Sequence, residues 1–166
     1  MKKIALIAAL VLASAASAQS IVAHVNVDSL LVQMPEYKQA QEALQAEQAK
    51  FESEAKEMNA ELEKGAQALQ ANAATWTELR QRQEQTRLQE MYNNIQEYMQ
   101  GAQGQLQQKE IELITPVLEK LQNAINAVAE TKKVSYVLDA SQSKGQVIFA
   151  KGGMNLGPEV RAYLAK

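Results

Sequence analysis

Between Glu36 and Glu130 the chain has one proline, three glycines and no cysteine, and apolar side chains recur there every three or four positions. Such a run, almost free of helix breakers and patterned at the helical period, predicts a long antiparallel helical hairpin. The segments on either side alternate at period two and read as strands. The expected fold is therefore α+β but mostly α: a hairpin, or tentacle, projecting from a small β-strand head. A chain built this way binds things rather than catalysing.

The outgoing helix carries Tyr37, Leu44, Phe51, Ala55, Met58, Leu62, Ala66, Leu69 and Ala73, a narrow apolar stripe in a surface of Glu, Gln and Lys. Sustained spacing of this kind describes a coiled-coil-like seam. The chain is expected to reverse near residues 71–76, because Thr75-Trp76-Thr77-Glu78 has the S/T-x-x-E pattern of a capping box. The return helix carries Leu88, Tyr92, Ile95, Met99, Ala102, Leu106, Leu113, Val117, Leu121, Ile125 and Val128. Pro116 inside it removes a backbone bond and crowds the preceding turn, so a kink and an arm hinge are placed there. The arm is thus expected over residues 36–115, and the head over 19–35 and 116–166.

In the head, residues 21–28 alternate as a half-buried strand, with Val25 and Val27 on one face. Asp28 reads as the cap of a short turn that Pro35 ends. Val134 to Asp139 and Val147 to Ala150 read as two strands of a hairpin, bringing Tyr136, Leu138 and Ile148 to the head. Gly157-Pro158 reads as the start of a last short helix.

The first eighteen residues have the parts of a secretory signal: Lys2-Lys3, an apolar run from Ile4 to Ala13, and Ala16-Ser17-Ala18 as a small-residue end. A membrane anchor would need about twenty apolar residues, so cleavage after Ala18 is expected, and with it a periplasmic location. Without Lys2 and Lys3 the chain has 15 basic and 19 acidic residues. The asymmetry is larger than the total: residues 36–130 hold 9 basic and 16 acidic, the flanks of the mature chain 6 and 3. An acidic arm argues against nucleic acid as a partner. With no cysteine, no disulfide stabilises the fold. Roughly fifty residues outside the hairpin are near the lower limit for an independent core, so self-association is inferred.

No active site presents itself, and no cofactor or metal is expected. His24 is the sole histidine, which leaves no triad and no H-E-x-x-H site. Gly152-Gly153 lacks the spacing of a phosphate loop. Flexible, polarizable methionine suits surfaces that accept many partners, but Met58, Met91 and Met99 equally suit the filling of the seam. Trp76, at the expected tip, reads as a ligand contact or as a packing plug. Tyr98, Ile111, Ile114 and Leu118 fall beside the seam and read either as surplus apolar surface or as a broader seam. The candidate client contacts on the arm are Met58, Leu69, Trp76, Met91, Tyr98 and Ile111.

Val25-Asn26-Val27-Asp28, Met34-Pro35-Glu36-Tyr37, Tyr136-Val137-Leu138-Asp139 and Asn155-Leu156-Gly157-Pro158-Glu159-Val160, in that order around a helical hairpin, resemble the Skp (OmpH-like) family of periplasmic chaperones. The resemblance implies a homotrimer joined through its heads, with Val25, Val27, Tyr136, Leu138 and Ile148 as oligomerisation residues. It also implies an ATP-independent holdase that keeps unfolded outer-membrane proteins in a cavity between the arms, with transient proximity to a membrane surface. Well-known members are strongly basic, whereas this arm is acidic, so no lipopolysaccharide-binding residues are carried over. The alternative is an envelope adaptor whose coiled coil docks or spaces partners. The two differ in the arm surface: a holdase needs apolar side chains left over once the seam is filled.

Overall fold

The computed structural model describes residues 21–143, 147, 149 and 152–165. The expected signal segment, and Ile148 of the expected head residues, lie outside the described residues. The elements in chain order are β1 (Val22–Val25), α1 (Val27–Leu31), α2 (Pro35–Ala71), α3 (Glu78–Lys132), β2 (Tyr136–Asp139), β3 (Met154–Asn155) and α4 (Gly157–Leu164). The chain divides into two compact units. One comprises the described parts of Met1–Met34 and Val117–Lys166, the other Pro35–Pro116.

The first unit is built on a three-stranded sheet of order β2-β1-β3, in which both outer strands run parallel to β1. This corrects the expected strand hairpin. Val147 and Phe149 lie outside any strand, and the third strand is Met154–Asn155, two residues that sequence periodicity is too short to reveal. Ala23 and Val25 point to the covered face and are 1% and 2% exposed. Beneath the sheet the core continues through Leu30, Leu121, Ala124, Leu156 and Val160, all at most 3% exposed.

Capping in this unit differs from expectation in one place. The cap of α1 is Asn26 rather than Asp28: its Oδ1 accepts the Ser29 N–H at 2.8 Å, and Asp28 falls in the first turn. Both are capping residue types, and β1 simply ends three residues sooner than the alternation in the sequence does. Asp139, at the end of β2, receives the Ser141 N–H at 2.9 Å and the Val27 N–H at 3.4 Å through one oxygen. That single carboxylate links the end of β2 to the start of α1. At the other end of the unit, α3 closes with Lys133 in the left-handed region (φ 55°), where the Val134 N–H reaches the Ala129 carbonyl at 3.1 Å. Lys132 then pairs with Glu159 of α4 at 2.9 Å, which holds the Glu159 carboxyl below its usual range.

The second unit is the antiparallel pair α2 and α3. Its seam is formed by Phe51, Ala55, Met58, Leu62, Gly65 and Leu69 on α2, facing Leu88, Met91, Ile95, Tyr98, Ala102 and Leu106 on α3. Intervals of three and four keep each row on one side of its helix. Two helices alone cover a seam only partly, so Met58, Leu62, Leu69, Leu88 and Met91 stay half-buried, while Phe51, Ala55, Ile95 and Ala102 are buried. The helix α3 continues through Pro116, which offers no N–H to the carbonyl four residues back.

The turn joining the helices spans Asn72 to Thr77. The helix-start residue is Thr77, whose hydroxyl oxygen accepts the Arg80 N–H at 3.4 Å, while Thr75 donates to the Asn72 carbonyl at 3.1 Å. Gln81 pins the turn by donating to the carbonyls of Ala73 and Trp76 at 2.7 and 3.1 Å.

At Gly65 side chains of α3 pack directly against the backbone of α2. A Cβ there would lie 2.6 Å from Leu88 Cδ2 and 3.1 Å from Arg87 Nη2. The Leu88 tip has room to yield to one methyl, but a branched side chain would have to displace both partners. Gly65→Val is therefore expected to cost about 1–3 kcal/mol of stability, read as a lower Tm by far-ultraviolet circular dichroism, whereas Gly65→Ala, which gains helix propensity, should leave Tm nearly unchanged.

Candidate binding surfaces

Two surfaces remain after the cores are filled. In a parallel pair, residues in register share a face, and the register pairs Val22 with Tyr136 and His24 with Leu138. Val22, Tyr136 and Leu138 therefore stand together on the outer face of the sheet, 44%, 63% and 46% exposed, with His24 half-buried among them. Two of the expected head residues, Tyr136 and Leu138, lie on this open face. Val25 is on the covered face, and Val27 has left the strand for the first turn of α1. The covered side also has a cavity of about 330 Å³ whose walls include Val25, Val27, Ile125, Val137 and Asp139.

On the hairpin, the residues expected to contact clients divide. Met58, Leu69, Met91 and Tyr98 are half-buried seam residues, and Ile111 is 53% exposed. Trp76 lies half-buried under the Arg80 guanidinium, 4.5 Å from the ring centroid, so it plugs the turn and makes a cation–π contact at once. Met58 and Met91 border a notch of about 190 Å³ with Glu61, Arg87, Asn94 and Ile95. Arg87 is held there by Glu84 of the same helix, and the pairing keeps the Glu84 carboxyl below its ordinary range.

Tyr98 is the polar anchor of the seam. Its ring meets Phe51 edge-on with centroids 6.1 Å apart, and its hydroxyl donates to Glu54 Oε2 at 2.7 Å. Partial desolvation, reinforced by that hydrogen bond, pushes the phenol up to about 12. Sequence reading left this residue between seam and surplus because its position fits both. The bond to Glu54, 44 residues away in the chain, decides for the seam. Tyr92 and Met99, expected in the apolar stripe of the return helix, are instead exposed at 50% and 44%, because the seam takes up their neighbours Met91 and Tyr98 one position earlier; Leu79 is 67% exposed.

Among the described residues no group of three or more His, Cys, Asp or Glu is placed to hold a metal ion, and no helix is long and apolar enough to cross a membrane. What the geometry offers is surface: an open apolar sheet face in one unit and a helical pair with leftover apolar side chains in the other. These features define a class of protein with a long antiparallel helical hairpin and a small three-stranded parallel sheet unit. The chain belongs to the OmpH-like family: the family model described as outer membrane protein (OmpH-like) matches residues 21–164. Among solved structures it is similar to an OmpH-like protein from Caulobacter crescentus, proposed to be an outer membrane chaperone, with a TM-score of 0.75 and 22% identity over 89% of this chain and 85% of that one. No curated protein matches the chain.

The raised Tyr98 phenol has a consequence for stability. Because its folded value exceeds the ordinary value near 10, the neutral phenol is favoured in the folded hairpin, and the stabilisation is complete below pH ~10 and lost as pH rises toward about 12. Absorbance titration at the tyrosinate band should show one tyrosine ionising later than the rest. Tyr98→Phe should remove that late step and lower Tm slightly at neutral pH through the loss of the Glu54 bond.

Proposed function

We propose that this protein is an ATP-independent periplasmic holdase that binds unfolded outer-membrane proteins between its helical arms and prevents their aggregation. The observation that carries this reading is the apolar surface that α3 leaves exposed outside the seam, at Leu79, Tyr92, Met99 and Ile111, in a chain of the OmpH-like family. An adaptor that only spaces its partners has no use for such a surplus. Confinement by many weak contacts needs no nucleotide, and release follows when folding into the membrane becomes more favourable than staying bound.

The holdase acts as a homotrimer in this proposal, joined through the heads. The open face of Val22, Tyr136 and Leu138 supports self-association, because a head this small gains further apolar burial by covering that face. Pro116, at the border of the two units, is the proposed hinge by which arms accommodate clients of different size. Secretion by cleavage after Ala18 places the trimer where its clients pass.

Diluting a urea-denatured outer-membrane β-barrel protein into buffer, with and without this protein, tests the reading directly. Suppressed light scattering, together with a soluble complex of three chains and one client, is the expected result. Unchanged scattering in the presence of a folded trimer would refute the holdase and favour the adaptor. Tyr136→Asp combined with Leu138→Asp is expected to give a folded monomer by light-scattering chromatography. A variant that stays trimeric would place the subunit interface elsewhere.

A further inference from the structure

Among the described residues of the hairpin, every large apolar side chain that is exposed belongs to α3, and none belongs to α2. Two of them, Tyr92 at 50% and Met99 at 44%, lie seven residues apart on that helix. Gln96 and Gln103, also exposed, complete a row at intervals of four, three and four, which is one helix face. This row borders the seam but takes no part in it. The side-chain amides of Gln96 and Gln103 make no hydrogen bond to any described residue, so both their donors and their acceptors are open.

Charge separates this face from the rest of the hairpin. From Glu36 to Lys64, twenty-nine residues of α2 include twelve charged ones. The eighteen residues 91–108 of α3 include one, Glu97, and eight are Asn or Gln. An acidic or basic partner therefore finds little to pair with here. A partner with free backbone amides and uncharged side chains finds primary amides that both donate and accept, flanked by an aromatic ring and a polarizable thioether. That combination describes an unfolded polypeptide, and in particular the strand segments of membrane β-barrels, whose apolar side chains alternate with polar ones. From Tyr92 to Gln103 the helix rises about 17 Å, the length of about five residues of extended chain.

We infer that the row Tyr92, Gln96, Met99 and Gln103 is the docking surface for extended, uncharged segments of unfolded polypeptide, with the two apolar side chains as anchors and the two amides pairing with client backbone. This rests on the holdase reading and assigns its contact face to α3. Binding on a neutral face depends little on ionic strength, although the hairpin as a whole is acidic.

The test measures affinity for a fluorescently labelled, urea-denatured outer-membrane β-barrel protein by anisotropy. Tyr92→Gln/Met99→Gln removes the anchors while keeping charge and helix-forming residues, so its circular dichroism melt should match the parent. The expected result is an affinity about tenfold weaker than that of the parent protein. The parent's own affinity should change by less than about twofold between about 50 mM and about 500 mM NaCl. In Gln96→Glu/Gln103→Glu, the same change of salt should shift affinity markedly. If the parent binds and the double Gln variant binds equally well, the docking surface is overturned while the holdase stands. A steep salt dependence of the parent likewise overturns it, because the contact is then ionic. If the parent does not bind at all, the holdase reading falls and the docking surface with it. A change in the self-association mass of the double Gln variant would reassign the row to contacts between copies.

Discussion

The parallel pairing of β1 with β2 constrains everything between them. Val22–Val25 and Tyr136–Asp139 run in the same direction, so the chain cannot turn straight back from one to the other and needs a crossover connection. Here the connection is α1, α2 and α3, more than a hundred residues including the whole of the second unit. The register closes at its ends by backbone bonds: the Ser135 N–H to the Ile21 carbonyl at 2.8 Å and the Ala140 N–H to the Val25 carbonyl at 2.7 Å. The sheet thus forms only after both halves of the chain are present, whereas the hairpin, whose contacts are closer in sequence, has a topological reason to form first.

That arrangement divides the work between the units. The first has its buried core on one side of its sheet and exposed apolar side chains on the other, the face proposed for self-association. The second cannot enclose a core, because two helices cover only one stripe. Its seam relies instead on specific devices: the close approach at Gly65, the edge-on pair of Phe51 and Tyr98, and the clamp of Gln81 on the turn. For the proposed holdase the incomplete burial would be useful, since side chains beside a thin seam stay within reach of a client.

Much of the fold is legible in the sequence, and the reasons are local. The hairpin is visible because its breakers are few and its apolar period holds for many turns. Short strands are harder. Met154–Asn155 has no period to detect, and its place beside His24 is set by the Leu156 N–H bonding to the His24 carbonyl at 3.0 Å, a contact between distant parts of the chain. Caps move by two residues, from Asp28 to Asn26 and from Thr75 to Thr77, because neighbouring residues of the same chemical type compete for one role. Contact surfaces are the least legible part. Tyr98 lies in the seam and Tyr92 beside it, and only the partner helix distinguishes the tyrosine that bonds to Glu54 from the one that faces solvent.

The acidic arm then has a different meaning from that of an anion-binding surface. Charges along α2 occur on turns with no exposed large apolar residue, and Lys50 pairs with Glu47 of the same helix at 3.9 Å. Exposed pairs of this sort contribute little to stability, but the charges of α2 as a whole, eight acidic and four basic, keep that helix solvated and, being mostly negative, repel like-charged copies. On α3 the same period is occupied by amides over residues 91–108, so solvation is retained without the field. For the proposed holdase both would serve: like charge on one helix would keep loaded assemblies apart, and the uncharged row on the other would take up uncharged segments of a client. The charge of the hairpin thus lies mainly away from the proposed contact row, whose four residues Tyr92, Gln96, Met99 and Gln103 are all uncharged.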